Sequence, residues 1–238
     1  MKHGLVVALL VSAATFATGC FEEEDSCNIH TPGIYVEYEV TERNGNAYAE
    51  VVFWTGDEPG GTYLELGACG DAVSVNGTKL SESGSNPTVY RATIDIAETY
   101  NIVFDRPNEG SYSSVITTMP EPVDILTPSG DSLARDEAFD ITWESNSTGQ
   151  INLLVSSDCF WDYPSSLGDQ VTDNGTHTVN AQIFDVKESE AGSTCTATIE
   201  LTRETDGILS EKLKGTIVGK TMDSTTFTSS PAVDETAQ

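Results

Sequence analysis

Apolar and polar residues alternate with a period of two along most of this chain, the pattern of half-buried strands. Ile34-Tyr35-Val36-Glu37-Tyr38-Glu39-Val40 alternates in this way, as does Tyr48-Ala49-Glu50-Val51-Val52-Phe53-Trp54. Asn44-Gly45-Asn46 between them predicts a tight hairpin, because Asn and Gly accept the positive φ that such turns require. Asn76-Gly77 after Val75 is a second signal of the same kind. Further strands are predicted over 63–66, 72–75, 89–94, 100–104 and 114–118. After Pro120-Glu121-Pro122 a second series covers 123–126, 138–143, 150–156, 176–179, 195–202 and 214–219, with 224–228 as an additional candidate. Helical periodicity is not sustained over ten residues anywhere in the mature region, so the expected class is all-β, built as sandwiches or barrels. The prolines around Glu121 predict a stiff extended crossover between two units.

The N-terminus departs from this pattern. Lys2 and His3 precede an uncharged, mostly apolar run from Leu5 to Phe16. That run is shorter than the roughly 20 residues a spanning helix needs, so it reads as a cleaved export signal. Ala17-Thr18-Gly19-Cys20 places small residues before a cysteine and resembles the bacterial lipobox, although Ala17 stands where Leu is usual. That resemblance implies lipidation of Cys20, which becomes the new N-terminus. Phe21 rather than Asp follows it, which under the enterobacterial sorting rule implies the outer membrane. The acidic run Glu22-Glu23-Glu24-Asp25 is then expected to be a solvated tether.

The cysteines fit this reading. There are five, and an odd number in an exported chain leaves one to explain. Lipidated Cys20 explains it. Of the three ways to pair the other four, only Cys27–Cys69 with Cys159–Cys195 keeps each bridge within one half of the chain. Each bridge would contribute roughly 4 kcal/mol in the chain-entropy account, and would persist only in an oxidising compartment.

Charge narrows the partners. The 238 residues carry 38 Asp+Glu against 11 Lys+Arg, a formal charge of -27. Such a surface does not suit nucleic acid, whose phosphates need a basic face, and it disfavours electrostatic docking on anionic lipid. The expected attachment to a membrane is therefore through the N-terminal lipid.

The segments Asp71–Leu80, Tyr90-Arg91-Ala92 and Tyr100–Pro107 resemble the first module of uncharacterised bacterial two-domain lipoproteins. Ile125-Leu126-Thr127-Pro128, a turn, and Phe139-Asp140-Ile141-Thr142-Trp143 resemble bacterial immunoglobulin-like modules. The resemblance spans most of residues 30–231 and implies two tandem immunoglobulin-like β-sandwich domains, with Trp143 as a core anchor. The resulting plan is a signal peptide over 1–19, a lipid-anchored acidic tether over 20–29, one sandwich over 30–120, a second over 121–228 and a disordered tail over 229–238.

Little of the sequence points to catalysis. After signal removal the histidines are His30 and His177, neither in a catalytic motif, and no nucleophile elbow, zinc-protease helix or phosphate loop is present. No cofactor or metal is expected; the acidic loops at 105–110 and 169–174 offer oxygen ligands for calcium but lack EF-hand spacing. The most suggestive segment is Cys159-Phe160-Trp161-Asp162-Tyr163-Pro164. Loops on rigid sandwiches carry recognition and aromatic residues dominate contact surfaces, so Phe160, Trp161 and Tyr163 are the candidate contacts for a protein or glycan. The expected function is a non-enzymatic binding or scaffolding module of the cell envelope. The alternatives are a polysaccharide-acting enzyme or accessory domain, and a structural spacer without a ligand.

Overall fold

The computed structural model describes residues 23–83, 86–145, 149–161, 169–181 and 183–231. The signal segment, Cys20, Tyr163 and the last seven residues lie outside that set. Among the described residues helix is limited to three single 3-10 turns, at Ser26–Asn28, Thr31–Gly33 and Glu188–Glu190.

The expected hairpins form where the turn residues place them. Strands β1 (Glu23–Asp25), β2 (Ile34–Arg43), β3 (Asn46–Thr55) and β4 (Tyr63–Glu65) open the chain. Asn44 and Gly45 adopt φ of 50° and 73°, so β2 and β3 pair antiparallel with Arg43 opposite Asn46. Strands β5 (Ala72–Val75) and β6 (Thr78–Lys79) are joined the same way by Asn76 and Gly77. Next come β7 (Ser81–Ser83), β8 (Asn86–Ile94), β9 (Tyr100–Arg106) and β10 (Gly110–Ile116). The second half contains β11 (Ile125–Thr127), β12 (Ser132–Ala134), β13 (Phe139–Trp143), β14 (Gln150–Ser157), β15 (Asp169–Thr172) and β16 (Thr176–Val179). Two long strands, β17 (Cys195–Asp206) and β18 (Lys214–Ser230), close the fold.

One large sheet runs through both halves in the order β1-β4-β3-β2-β18-β17-β14-β15, with β8 also on β3 and β12 on β18. Two smaller sheets face it. The β10-β9-β5-β6 sheet covers the first half, and Phe53, Tyr38, Phe104, Tyr100 and Ile102 fill the space between. The β11-β13-β16 sheet covers the second, over Trp143, Ile141, Leu153, Ile199 and Phe227. The protein is therefore all-β, with two sandwich cores, and Trp143 is buried in the second.

The sandwiches are not sequence-contiguous units. A division at Glu121 assigns 208–219 to the second, yet Leu213 and Ile217 lie in the first core. The cause is β18, whose first half pairs parallel with β2 while its second half packs Phe227 into the other sandwich. Gly215 makes that pairing possible: with φ of +137°, a Cβ there would lie 1.8 Å from the Val36 carbonyl oxygen. The tether is also shorter than expected. Glu23–Asp25 pairs with β4, Ser26 is buried, and Cys27 bonds to Cys69. At the other end Ser229 is fully buried within β18, so the ordered chain passes the expected start of the tail.

Candidate functional site

The aromatic loop divides into inside and outside. Phe160 is 0% exposed and stacks on Phe184 with ring centroids 4.3 Å apart, so it is a core residue and not a contact. Trp161 is 61% exposed, with the Lys187 ammonium 5.0 Å from its ring centroid. The loop is pinned by backbone bonds from Trp161 N to Asp185 O and from Lys187 N to Cys159 O. Cys159 is bonded to Cys195 as the sequence pairing expects. Of the two candidate contacts among the described residues, Trp161 lies at the surface and Phe160 does not.

The acidic loops hold arginine. In β9 the alternation that buries Tyr100, Ile102 and Phe104 continues to Arg106, which is 2% exposed. Its guanidinium donates to Asp71, to the Ser26 and Ile29 carbonyls, to Thr31 Oγ1 and to Glu109. Glu109 also accepts from the Thr31 hydroxyl and amide and meets His30 Nδ1 at 2.8 Å. These donors, the two of Thr31 foremost, hold the Glu109 carboxyl down to about 2.

The second loop repeats this arrangement. Along β17 the buried series Ala197, Ile199, Leu201 continues to Arg203. Arg203 donates to both carboxylate oxygens of Asp173 and to the carbonyls of Glu121, Pro122 and Glu144. Trp143 Nε1 donates to the same carboxylate at 2.7 Å. Burial pushes the Asp173 carboxyl up, but Arg203 and Trp143 outweigh it and hold it below the ordinary carboxylate range. A third buried guanidinium, Arg135, donates to Ser229 Oγ and to carbonyls of the 190–193 turn. Burial lowers its pKa. These carboxylates are thus engaged in fixing the chain. The two clusters of metal-ligating residue types among the described residues, Asp25 with Cys27 and Cys69 and Glu190 with Cys159 and Cys195, each contain both cysteines of a disulfide, which are not thiolate ligands while bonded.

A concave surface that carries charge of both signs lies on the outer face of the large sheet. A groove of about 530 Å³ crosses β2, β3 and β8, lined by Glu39, Thr41, Arg43, Tyr48, Glu50 and Arg91 among others. Register explains the grouping. Glu50 stands opposite both Glu39 and Arg91, and Tyr48 opposite both Thr41 and Thr93. Two glutamates facing each other across strands would repel. Each has its own cation instead: Arg91 Nε lies 2.6 Å from Glu50, and Lys220 Nζ lies 2.8 Å from Glu39 and 3.3 Å from Glu204. Arg43 rests over the Tyr48 ring at 4.7 Å, with no carboxylate partner among the described residues. A second, flatter hollow of about 480 Å³ lies where the sandwiches meet, between Ile96-Ala97-Glu98 and Thr117–Glu121.

Sequence reading missed the groove and both arginine anchors. The anchors had a signal, since each arginine continues the buried phase of its strand. The groove had half of one: the Asn44-Gly45 hairpin fixes Glu39 against Glu50, while the pairing of β3 with β8 follows from no local pattern.

No family model matches the chain, and no curated protein matches it. Among solved structures, the crystal structure of the two tandem V-type regions of VCBP3, a v-region-containing chitin binding protein, is 11% identical with a TM-score of 0.23, covering 83% of this chain and 99% of that one. So slight a likeness carries no argument about ligand, and the description of the fold rests on the strand pairing alone.

Proposed function

We propose that the chain is a lipid-anchored, non-enzymatic binding or scaffolding module of the bacterial cell envelope, with the outer-face groove as its contact surface. One observation carries the reading: the buried carboxylates Asp71 and Asp173 are ion-paired to structural arginines, while the groove presents charged side chains to solvent. Hydrolysis by a carboxylate pair needs two acids set across a cleft with separated proton affinities. Asp71 and Asp173 instead fix backbone, and the groove carboxylates Glu39 and Glu50 are bound to Lys220 and Arg91. Acylation of Cys20 would hold the protein at the outer membrane and raise its local concentration there.

The test is a photo-crosslinking residue at Thr93, within the groove, in the protein produced in its native envelope. A discrete adduct from Thr93, absent from a probe at exposed Ser111 on the opposite sheet, is the expected result. Equal labelling from both positions, or from neither, would refute the contact surface. Separately, Cys20→Ser should move the protein from the detergent phase to the aqueous wash, and retention in the detergent phase would dismiss the anchor.

A further inference from the structure

We infer that the groove binds a neutral polysaccharide chain; this rests on the reading of the protein as a binding module. The argument begins with charge. The chain as a whole is at -27, yet the groove lining carries Glu39 and Glu50 alongside Arg43 and Arg91, a formal balance of zero. A polyanion is repelled by the surrounding protein and meets two carboxylates here; a polycation is drawn to the acidic surface at large, but the lining, balanced at zero, gives it no preference for the groove.

Hydrogen-bonding chemistry narrows the class further. A sugar hydroxyl both donates and accepts, so its site must supply acceptors and donors side by side. Arg91 and Glu50 supply such a couple at 2.6 Å, held rigid by their cross-strand register. Thr93 lies beside them on β8 and adds a hydroxyl that both donates and accepts. Arg43 contributes a guanidinium bound to no carboxylate among the described residues and parked on Tyr48. Its planar fork spans two adjacent oxygens, as vicinal hydroxyls present them. Tyr48 holds that guanidinium in the groove through its ring face, so its contribution is to position Arg43. The groove is on a sheet face and is not an enclosed cavity, so it suits a segment of a long chain better than an isolated small molecule.

The experiment is affinity electrophoresis of the mature protein in native gels containing a soluble mixed-linkage glucan, a galactomannan or an amylose-type glucan, with polygalacturonate as the polyanion. Retardation by at least one neutral polymer and not by polygalacturonate is expected. Arg43→Ala should weaken that retardation about tenfold, the scale of one charge-assisted hydrogen-bonded contact. Arg43 is exposed beside a hairpin turn, so melting should be unchanged, and Tyr48→Ala provides a second variant with the same expected direction. Retardation by no neutral polymer, by polygalacturonate as strongly, or undiminished in both variants would overturn the inference. If no neutral polymer binds while Thr93 crosslinks to a protein, the saccharide inference fails and the binding-module reading stands.

Discussion

The two sandwiches hold their incoming chain with the same device, a buried arginine ligated by one inner carboxylate and by backbone carbonyls, but they expose it to water differently. In the first, Arg106 binds Asp71 and the carbonyls of Ser26 and Ile29, and its network continues outward through Glu109 to the exposed His30. In the second, Arg203 binds Asp173 and the carbonyls of Glu121, Pro122 and Glu144, with Trp143 closing the carboxylate from the core side. Asp173 is fully buried on its side chain, whereas Glu109 keeps 23% of its own exposed. A charge left alone in a dry site is costly, while one that reaches solvent is not. The same side-chain chemistry therefore gives a rigid joint between the sandwiches and a titratable clasp at the N-terminus.

The largest effect should come from the dry anchor. Arg203→Met leaves Asp173 buried and unpaired, and a loss of about 3–5 kcal/mol in urea unfolding is expected. Arg106→Met leaves Asp71, only 2% exposed, unpaired in the same way, so a loss of the same order is expected even though Glu109 can turn to water. A loss well below that range from either variant would dismiss its arginine as an anchor. Next, Gly215→Ala places a Cβ against the Val36 backbone at a φ that L-residues avoid, with an expected loss of at least about 1–3 kcal/mol. Hydrogen exchange should then accelerate in β2 as well as in β18; an effect confined to the second sandwich would argue against the shared strand.

The clasp predicts a smaller, pH-dependent term. Glu109 in the folded protein lies at about 2, below its ordinary value of 4.5, so its contribution is complete above pH 4.5 and fades as pH falls toward 2. Glu109→Gln should lower the melting temperature at neutral pH and flatten its decline across that window. A parallel decline in both proteins would remove Glu109 as the source. Smallest of all, Trp161→Ala removes an exposed ring whose recorded neighbour is the Lys187 ammonium, and should alter stability by no more than about 0.5 kcal/mol. A larger loss would place Trp161 in the fold and not on the surface.

Much of this architecture was legible because local rules govern it. Alternation located the strand interiors, and Asn-Gly pairs at 44–45 and 76–77 set two registers. What escaped was non-local. The strand β18 breaks in the sequence between Gly219 and Ser224 because its inward positions there are polar. Thr221 donates to the Glu121 carbonyl and Asp223 accepts from the Ile125 amide, so these residues serve the crossover and show no apolar alternation. The short strand β1 is built from Glu23, Glu24 and Asp25, residues that read as tether and become strand only because β4 offers a free edge and Cys69 a bond to Cys27. Of the candidate contacts, Trp161 lies at the surface and Phe160 in the core, a division hidden from the sequence because periodicity across a loop does not tell which ring turns inward.

The shared strand has a consequence for biosynthesis. The segment that completes the N-terminal sandwich, Lys214–Thr221, is made after most of the second sandwich, and it docks on β2 about 180 residues upstream. The two halves therefore cannot mature in the order of translation: the first waits for β18, and a molecule shortened before Leu213 would lack Leu213 and Ile217 from a core that the N-terminal half alone does not fill.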